Sequence, residues 1–149
     1  MVSLNSWKFD ALNPGMAYLL NPGRYYIGDI TYAVEEDIYK NVFRKNGQKA
    51  GLYQSINGLF LVGNARNNGT FTGTDNFDYE VDSGAIGIVC SSLLENEPEC
   101  GNIYEFPDGI HVIIDDGKFT FEYDEFYLNI DTSSTFSDSE TDSEPMIID

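Results

Sequence analysis

The chain has 149 residues, the size of one domain. Its 8 Lys+Arg against 25 Asp+Glu leave a formal charge of −17, which excludes a broad basic face for duplex nucleic acid and attachment to an anionic membrane surface. The longest apolar runs, Ala17–Leu20 and Leu59–Val62, fall far short of the roughly 18 residues of a membrane span.

The N-terminal stretch has Lys8 and Asp10 early and no long apolar run, so no signal peptide is expected and the protein reads as intracellular, not secreted. Two cysteines are too few for a disulfide framework. Free thiols are the default for Cys90 and Cys100, although the spacing between them permits a bond.

Taken in chain order, the first element is a strand at Arg24–Ile27 after the Pro22-Gly23 turn. One helix follows. Glu35-Glu36-Asp37 opens it and Arg44-Lys45-Asn46-Gly47 closes it, matching the helix dipole, with Ile38, Tyr39, Val42 and Phe43 as its buried stripe. Asn57-Gly58 between Leu52–Ile56 and Leu59–Val62 signals a tight hairpin. Phe77–Val81 and Ala85–Cys90 are further strands, separated by Asp82-Ser83-Gly84. Gly87 inside the second of these predicts close approach by another backbone or an aromatic ring.

Period-two alternation continues through Asn102–Phe106, Ile110–Ile114, Lys118–Tyr123 and Phe126–Ile130, with turns at Pro107-Asp108-Gly109 and Asp115-Asp116-Gly117. This reads as a four-strand meander. The fold class is therefore mainly β, α+β at most: two packed antiparallel sheets or a partly open barrel with one α-helix across it. The 20 Phe+Tyr supply ample core for it. The β-rich domain covers residues 1–130. Residues 131–149 carry six acids and no Lys or Arg among many Ser and Thr, which reads as an acidic tail unable to bury enough apolar area to offset its ordering entropy.

Two stretches carry a family resemblance. Pro22-Gly23-Arg24-Tyr25-Tyr26-Ile27-Gly28-Asp29 is one; Val81-Asp82-Ser83-Gly84-Ala85-Ile86-Gly87-Ile88-Val89, preceded by Asn68-Gly69-Thr70, is the other. Together they resemble a scattered group of small proteins of phages, bacteria and large DNA viruses, and most of all a virion protein of the Marseillevirus kind. The resemblance spans Pro22 to Ile130. It implies a shared fold and a viral setting, in the virion or in the host cytoplasm or nucleus, and no activity. In that group the first motif continues as proline-cysteine-tyrosine; here Ile30-Thr31-Tyr32 stands there, so a role for that cysteine is absent.

Several constellations bear on chemistry. Asp78, Glu80 and Asp82 alternate along one strand face, with Asp75 nearby, and carboxylates are ligands for Ca²⁺ or Mg²⁺. Alternate side chains of an extended strand lie roughly 7 Å apart, however, which favours a solvated face over a metal site. Asp29 and Asp82, each close to a glycine in a motif, are either a catalytic carboxylate pair or turn carboxylates that accept backbone N–H groups. His111 is the one histidine, on the strand face opposite Ile110, Val112 and Ile114, and no glycine-flanked nucleophilic serine accompanies it. Lys40, Arg44, Lys45 and Lys49 gather half of all basic residues within ten positions. They serve either a homodimer, with the basic helix end against a partner's acidic sheet, or simple dipole complementation.

In the tail, Thr135, Ser137, Ser139 and Thr141 each have an acid three residues downstream, the spacing of acidophilic kinase sites. Met146-Ile147-Ile148 after acidic serines resembles a SUMO-interacting motif, which docks as an added strand. The reading that results is a non-enzymatic, virion-associated interaction protein acting through an acidic surface and tail. It needs no cofactor, and a homodimer and a basic protein partner are expected. A metal-dependent hydrolase using Asp29 and Asp82, and an acidic nucleic-acid mimic or histone-binding decoy, are the alternatives.

Overall fold

The computed structural model describes residues 7–94 and 100–133. In chain order its strands are β1 (Lys8–Ala11), β2 (Ala17–Leu20), β3 (Gly23–Asp29), β4 (Gly51–Ser55), β5 (Gly58–Asn64) and β6 (Gly69–Thr72). Then come β7 (Asp78–Val81), β8 (Ala85–Cys90), β9 (Asn102–Phe106), β10 (Ile110–Asp115), β11 (Lys118–Tyr123) and β12 (Phe126–Asp131). They form three antiparallel sheets: a six-stranded one in the order β1-β4-β5-β8-β3-β9, a four-stranded one in the order β12-β11-β10-β2, and the hairpin β6-β7.

The six-stranded sheet is the middle layer. Alternate residues of its strands, among them Ile27, Leu61 and Ile88, meet Val112, Phe119 and Phe121 of the four-stranded sheet in one core, which the small hairpin closes with Phe71 and Tyr79. Residues of the opposite parity, Tyr26, Phe60 and Val89, lie under the helix with Ile38, Val42 and Phe43. A strand covered on both faces loses the apolar–polar alternation of a half-buried one, and Ala85–Val89 is buried throughout. On the helix side, Tyr53 stacks on Phe60 at 4.7 Å and Phe43 meets Tyr53 edge-on at 5.8 Å.

The helix departs from regular α geometry. Glu36–Ile38 is α-helical and Tyr39–Arg44 is π-helical, so the segment read as one α-helix is a short α turn that widens. Glu36 and Asp37 occupy its first turn, Arg44 its last, and Gly47 ends the run at φ 76°, its N–H donating to the Arg44 carbonyl at 2.9 Å.

Three of the four strands read as a meander do form one, β10-β11-β12. β9 instead crosses to the other sheet and pairs with β3, Gly23 opposite Phe106 and Tyr25 opposite Tyr104. Period-two alternation marks a strand without naming its neighbour. Here the aromatic rings decide, because this pairing sets Phe106 against Tyr25 at 6.1 Å and against Phe126 at 5.1 Å. Pro107-Asp108-Gly109 is therefore a corner between sheets.

Candidate functional site

The register of β3 on β8 brings the two sequence motifs together. Gly28 lies opposite Gly87, and Asp29 opposite Ile86. A side chain at Gly87 would meet the Leu61 carbonyl oxygen at 2.2 Å, so the predicted close backbone approach is present. Asp29 then ends β3 completely buried. Its Oδ2 accepts the backbone N–H groups of Asp82 and Ser83 at 2.8 and 2.9 Å. Its Oδ1 accepts the Ser83 hydroxyl at 2.8 Å, the Thr31 hydroxyl at 2.7 Å and the Thr31 N–H at 3.0 Å. Five donors converge on one carboxylate, which satisfies a buried charge as the low dielectric demands.

The Asp82 carboxylate goes elsewhere. Its Oδ2 accepts the Tyr32 hydroxyl, and this bond holds the Tyr32 phenol above its ordinary range. Asp29 and Asp82 are thus joined through the Asp82 backbone, not through two carboxylates facing one substrate.

The strand-face acids are each engaged separately. Asp78 accepts from the Thr72 hydroxyl at 2.6 Å and Glu80 from the Cys100 thiol at 3.6 Å. Among the described residues no group of three or more His, Cys, Asp or Glu stands close enough to share a metal ion. Asp75 turns inward instead. Its Oδ2 accepts the hydroxyls of Tyr79 at 2.6 Å and Tyr104 at 2.5 Å, and its Oδ1 the Phe77 N–H at 3.1 Å. Burial pulls its carboxyl upward, but Tyr104, Tyr79 and Phe77 outweigh that and hold it below the usual carboxylate range. Cys90 Sγ accepts the Leu59 N–H at 3.3 Å and lies 3.0 Å from the Ser92 hydroxyl, so the two thiols address different neighbours.

Lys40 pairs with Glu36 at 2.8 Å, while Arg44, Lys45 and Lys49 are exposed around the helix end. Two described surface hollows, of about 290 Å³ beside Lys8 and Ile56 and about 260 Å³ beside Arg66 and Asp116, fall below the ~300–1,000 Å³ of small-molecule sites. Thr135, Ser137, Ser139, Thr141, Met146, Ile147 and Ile148 lie outside the described residues.

One surface went unread in the sequence. The outward face of the four-stranded sheet carries, in one row across its strands, Leu19, His111, Glu122 and Tyr127. Leu19 is 64% exposed and Tyr127 55%. Tyr123 stacks on His111 at 5.9 Å, and Met16, 58% exposed, stands where β2 begins. Among the described residues, four of the five exposed large apolar side chains thus belong to this sheet or its rim, Ile56 being the fifth. The signal was there in the alternation of Phe126, Leu128 and Ile130, which leaves Tyr127 outward. It was incomplete because the four-residue strand at Ala17–Leu20 reads only as a short apolar run.

No helix among the described residues is long and apolar enough to cross a membrane. No family model, curated protein or solved structure matches the chain.

Proposed function

We propose that this chain is a non-enzymatic interaction protein of viral origin, working in the virion or in the host cytoplasm or nucleus. It makes its contacts through the open face of the four-stranded sheet, with its acidic surface and tail favouring a basic protein partner. The viral setting rests on the two motifs alone. The observation that carries the interaction reading is the exposure of Leu19 and Tyr127 in one outward row of the sheet, with Tyr123 and Met16 exposed at its rim, since exposed apolar groups gathered in one region mark contact surfaces. The sealing of Asp29 favours it over a hydrolase, because a carboxylate committed to five protein donors has no lone pair directed at a substrate.

The test is affinity capture from infected cells with the full chain and with a chain carrying L19E and Y127E. Both positions are exposed, and circular dichroism checks that the doubly substituted chain folds, because Y127E stands opposite Glu122. Specific partners, copies of the chain itself included, are expected with the first and absent with the second. An identical set from both overturns the reading.

A further inference from the structure

We infer that the occupant of the open sheet face is a second copy of this chain, packed face to face about a twofold axis parallel to the strands. This rests on the interaction reading above and names its partner. The argument is the register. Across the sheet order β2-β10-β11-β12, one outward row reads Leu19, His111, Glu122, Tyr127. A twofold axis in the interface, running between β10 and β11, reverses that order on the facing copy. Leu19 then meets Tyr127 of the other copy, and His111 meets its Glu122, each contact occurring twice.

The row at the other end reads Asp115, Lys118, Asp131, and its two central members obey the same rule. Asp115 and Lys118 lie opposite one another on β10 and β11, so the operation sets Asp115 of each copy against Lys118 of the other. The row between offers Ile113 to Thr120. Apolar meets aromatic and acid meets base at these positions. Strand directions stay aligned, as sheets packed at about 30° require.

The face also sets the strength. Four strands at ~4.8 Å spacing by about five residues at ~3.3 Å make a patch of roughly 320 Å² per copy, against about 800 Å² in a standard interface. Pairing is therefore weak, and the dimer fraction climbs with concentration.

The experiment is sedimentation equilibrium on the full chain over a wide concentration range, with D115K, K118D and their equimolar mixture. Both residues are exposed beside the Asp116-Gly117 turn, and circular dichroism reports whether each variant folds. The wild-type mass is expected to rise toward two chains. D115K and K118D each set like charges against one another twice and are expected to stay at one chain. Their mixture restores both opposite-charge contacts in a heterodimer and is expected to return to two.

A wild-type chain monomeric throughout overturns the inference. A dimer unaffected by D115K and K118D, or a mixture that fails to recover, also overturns it. A chain ending at Ser133 that dimerises while the full chain does not assigns the face to the tail instead. In each of these cases the interaction reading falls only if L19E with Y127E also leaves partner capture unchanged.

Discussion

Asp29 holds Ser83 twice across 54 positions of sequence, the Ser83 amide donating to Oδ2 at 2.9 Å and its hydroxyl to Oδ1 at 2.8 Å. The same carboxylate takes the Asp82 amide, so the end of β3 is locked to the turn between β7 and β8. The locked turn also feeds the sheet: the Ser83 hydroxyl accepts the Ala85 N–H at 3.2 Å, at the start of β8. Asp29→Asn turns an NH₂ toward donors, whichever way the amide is placed, and Asp29→Ala removes the acceptor of the Thr31, Asp82 and Ser83 N–H groups, whose exposed residues let water replace part of it. Each lost bond costs about 1 kcal/mol net, so we expect D29A to lose about 3 kcal/mol and S83A about 1 kcal/mol. Chemical denaturation measures both. A D29A chain within about 0.5 kcal/mol of wild type shows that the clamp is not structural.

Tyr79 and Tyr104 share one acceptor, Asp75 Oδ2. We expect Tyr79→Phe and Tyr104→Phe each to cost about 1–2 kcal/mol, and the double variant more than their sum, since the remaining bond strengthens when one is lost and masks part of each single cost. Asp75 titrates below its unfolded value, so its contribution is present above about pH 4 and is lost as pH falls through the folded pKa. Removing either hydroxyl raises that pKa and moves acid unfolding to higher pH. Carboxyl NMR titration follows Asp75 directly; an unmoved resonance in both variants contradicts the shared-acceptor account.

At the alkaline end the sign reverses. Burial pushes Tyr53 up to about 12, and burial with the Asp75 bond does the same to Tyr104, while Tyr25, Tyr26 and Tyr79 are also raised. An unfolded tyrosine ionises near pH 10, so folding is favoured fully below about 10 and progressively less as pH climbs through about 12. Phenolate absorbance and circular dichroism, recorded together, are expected to show the buried rings ionising in one step with loss of strand signal. Buried rings that ionise near pH 10 with the fold intact contradict it.

Strands and turns were legible where alternation and glycine coincide, as at Phe119-Thr120-Phe121 after the Asp115-Asp116-Gly117 turn. Gly87 was legible for the same reason: a small residue in an apolar run has few explanations besides close approach. Strand partnership was not legible for β9, because Ile103 and Tyr104 alternate alike beside β3 or β10. The π-helical turns were not either, since the Ile38, Val42, Phe43 stripe suits both geometries. At the site, glycine beside Asp29 pointed to a turn carboxylate, but its partner Ser83 lies too far along the chain for local pattern to find. The open face needed the register, because Leu19 and Tyr127 fall at the two ends of one row only when β2 and β12 form the sheet's two edges.

The last prediction separates folded chain from tail. β12 ends at Asp131, and Thr132 beyond it is fully buried. Its hydroxyl donates to the Gly117 carbonyl at 2.6 Å and accepts the Arg66 N–H at 2.9 Å. Its own N–H donates to the Gly117 carbonyl at 2.9 Å, and its carbonyl accepts from Asn67 at 2.9 Å. A chain ending at Ile130 forfeits four hydrogen bonds and orphans the Arg66 N–H, so we expect it to lose about 2–4 kcal/mol. A chain ending at Ser133 keeps them and is expected to match the full chain within about 0.5 kcal/mol. The second truncation still removes Asp138, Glu140, Asp142, Glu144 and Asp149, changing the formal charge from −17 to −17 + 5 = −12. A basic partner recruited by the tail should then be captured less well, with a shallower dependence on salt, because fewer charges remain to be screened. Phosphorylation at Thr135, Ser137, Ser139 and Thr141 adds about −1.5 to −2 per site and should act in the opposite direction on the full chain. If the chain ending at Ser133 melts early, the segment beyond it supports the fold; if it melts normally and captures the partner as the full chain does, the five acids recruit nothing.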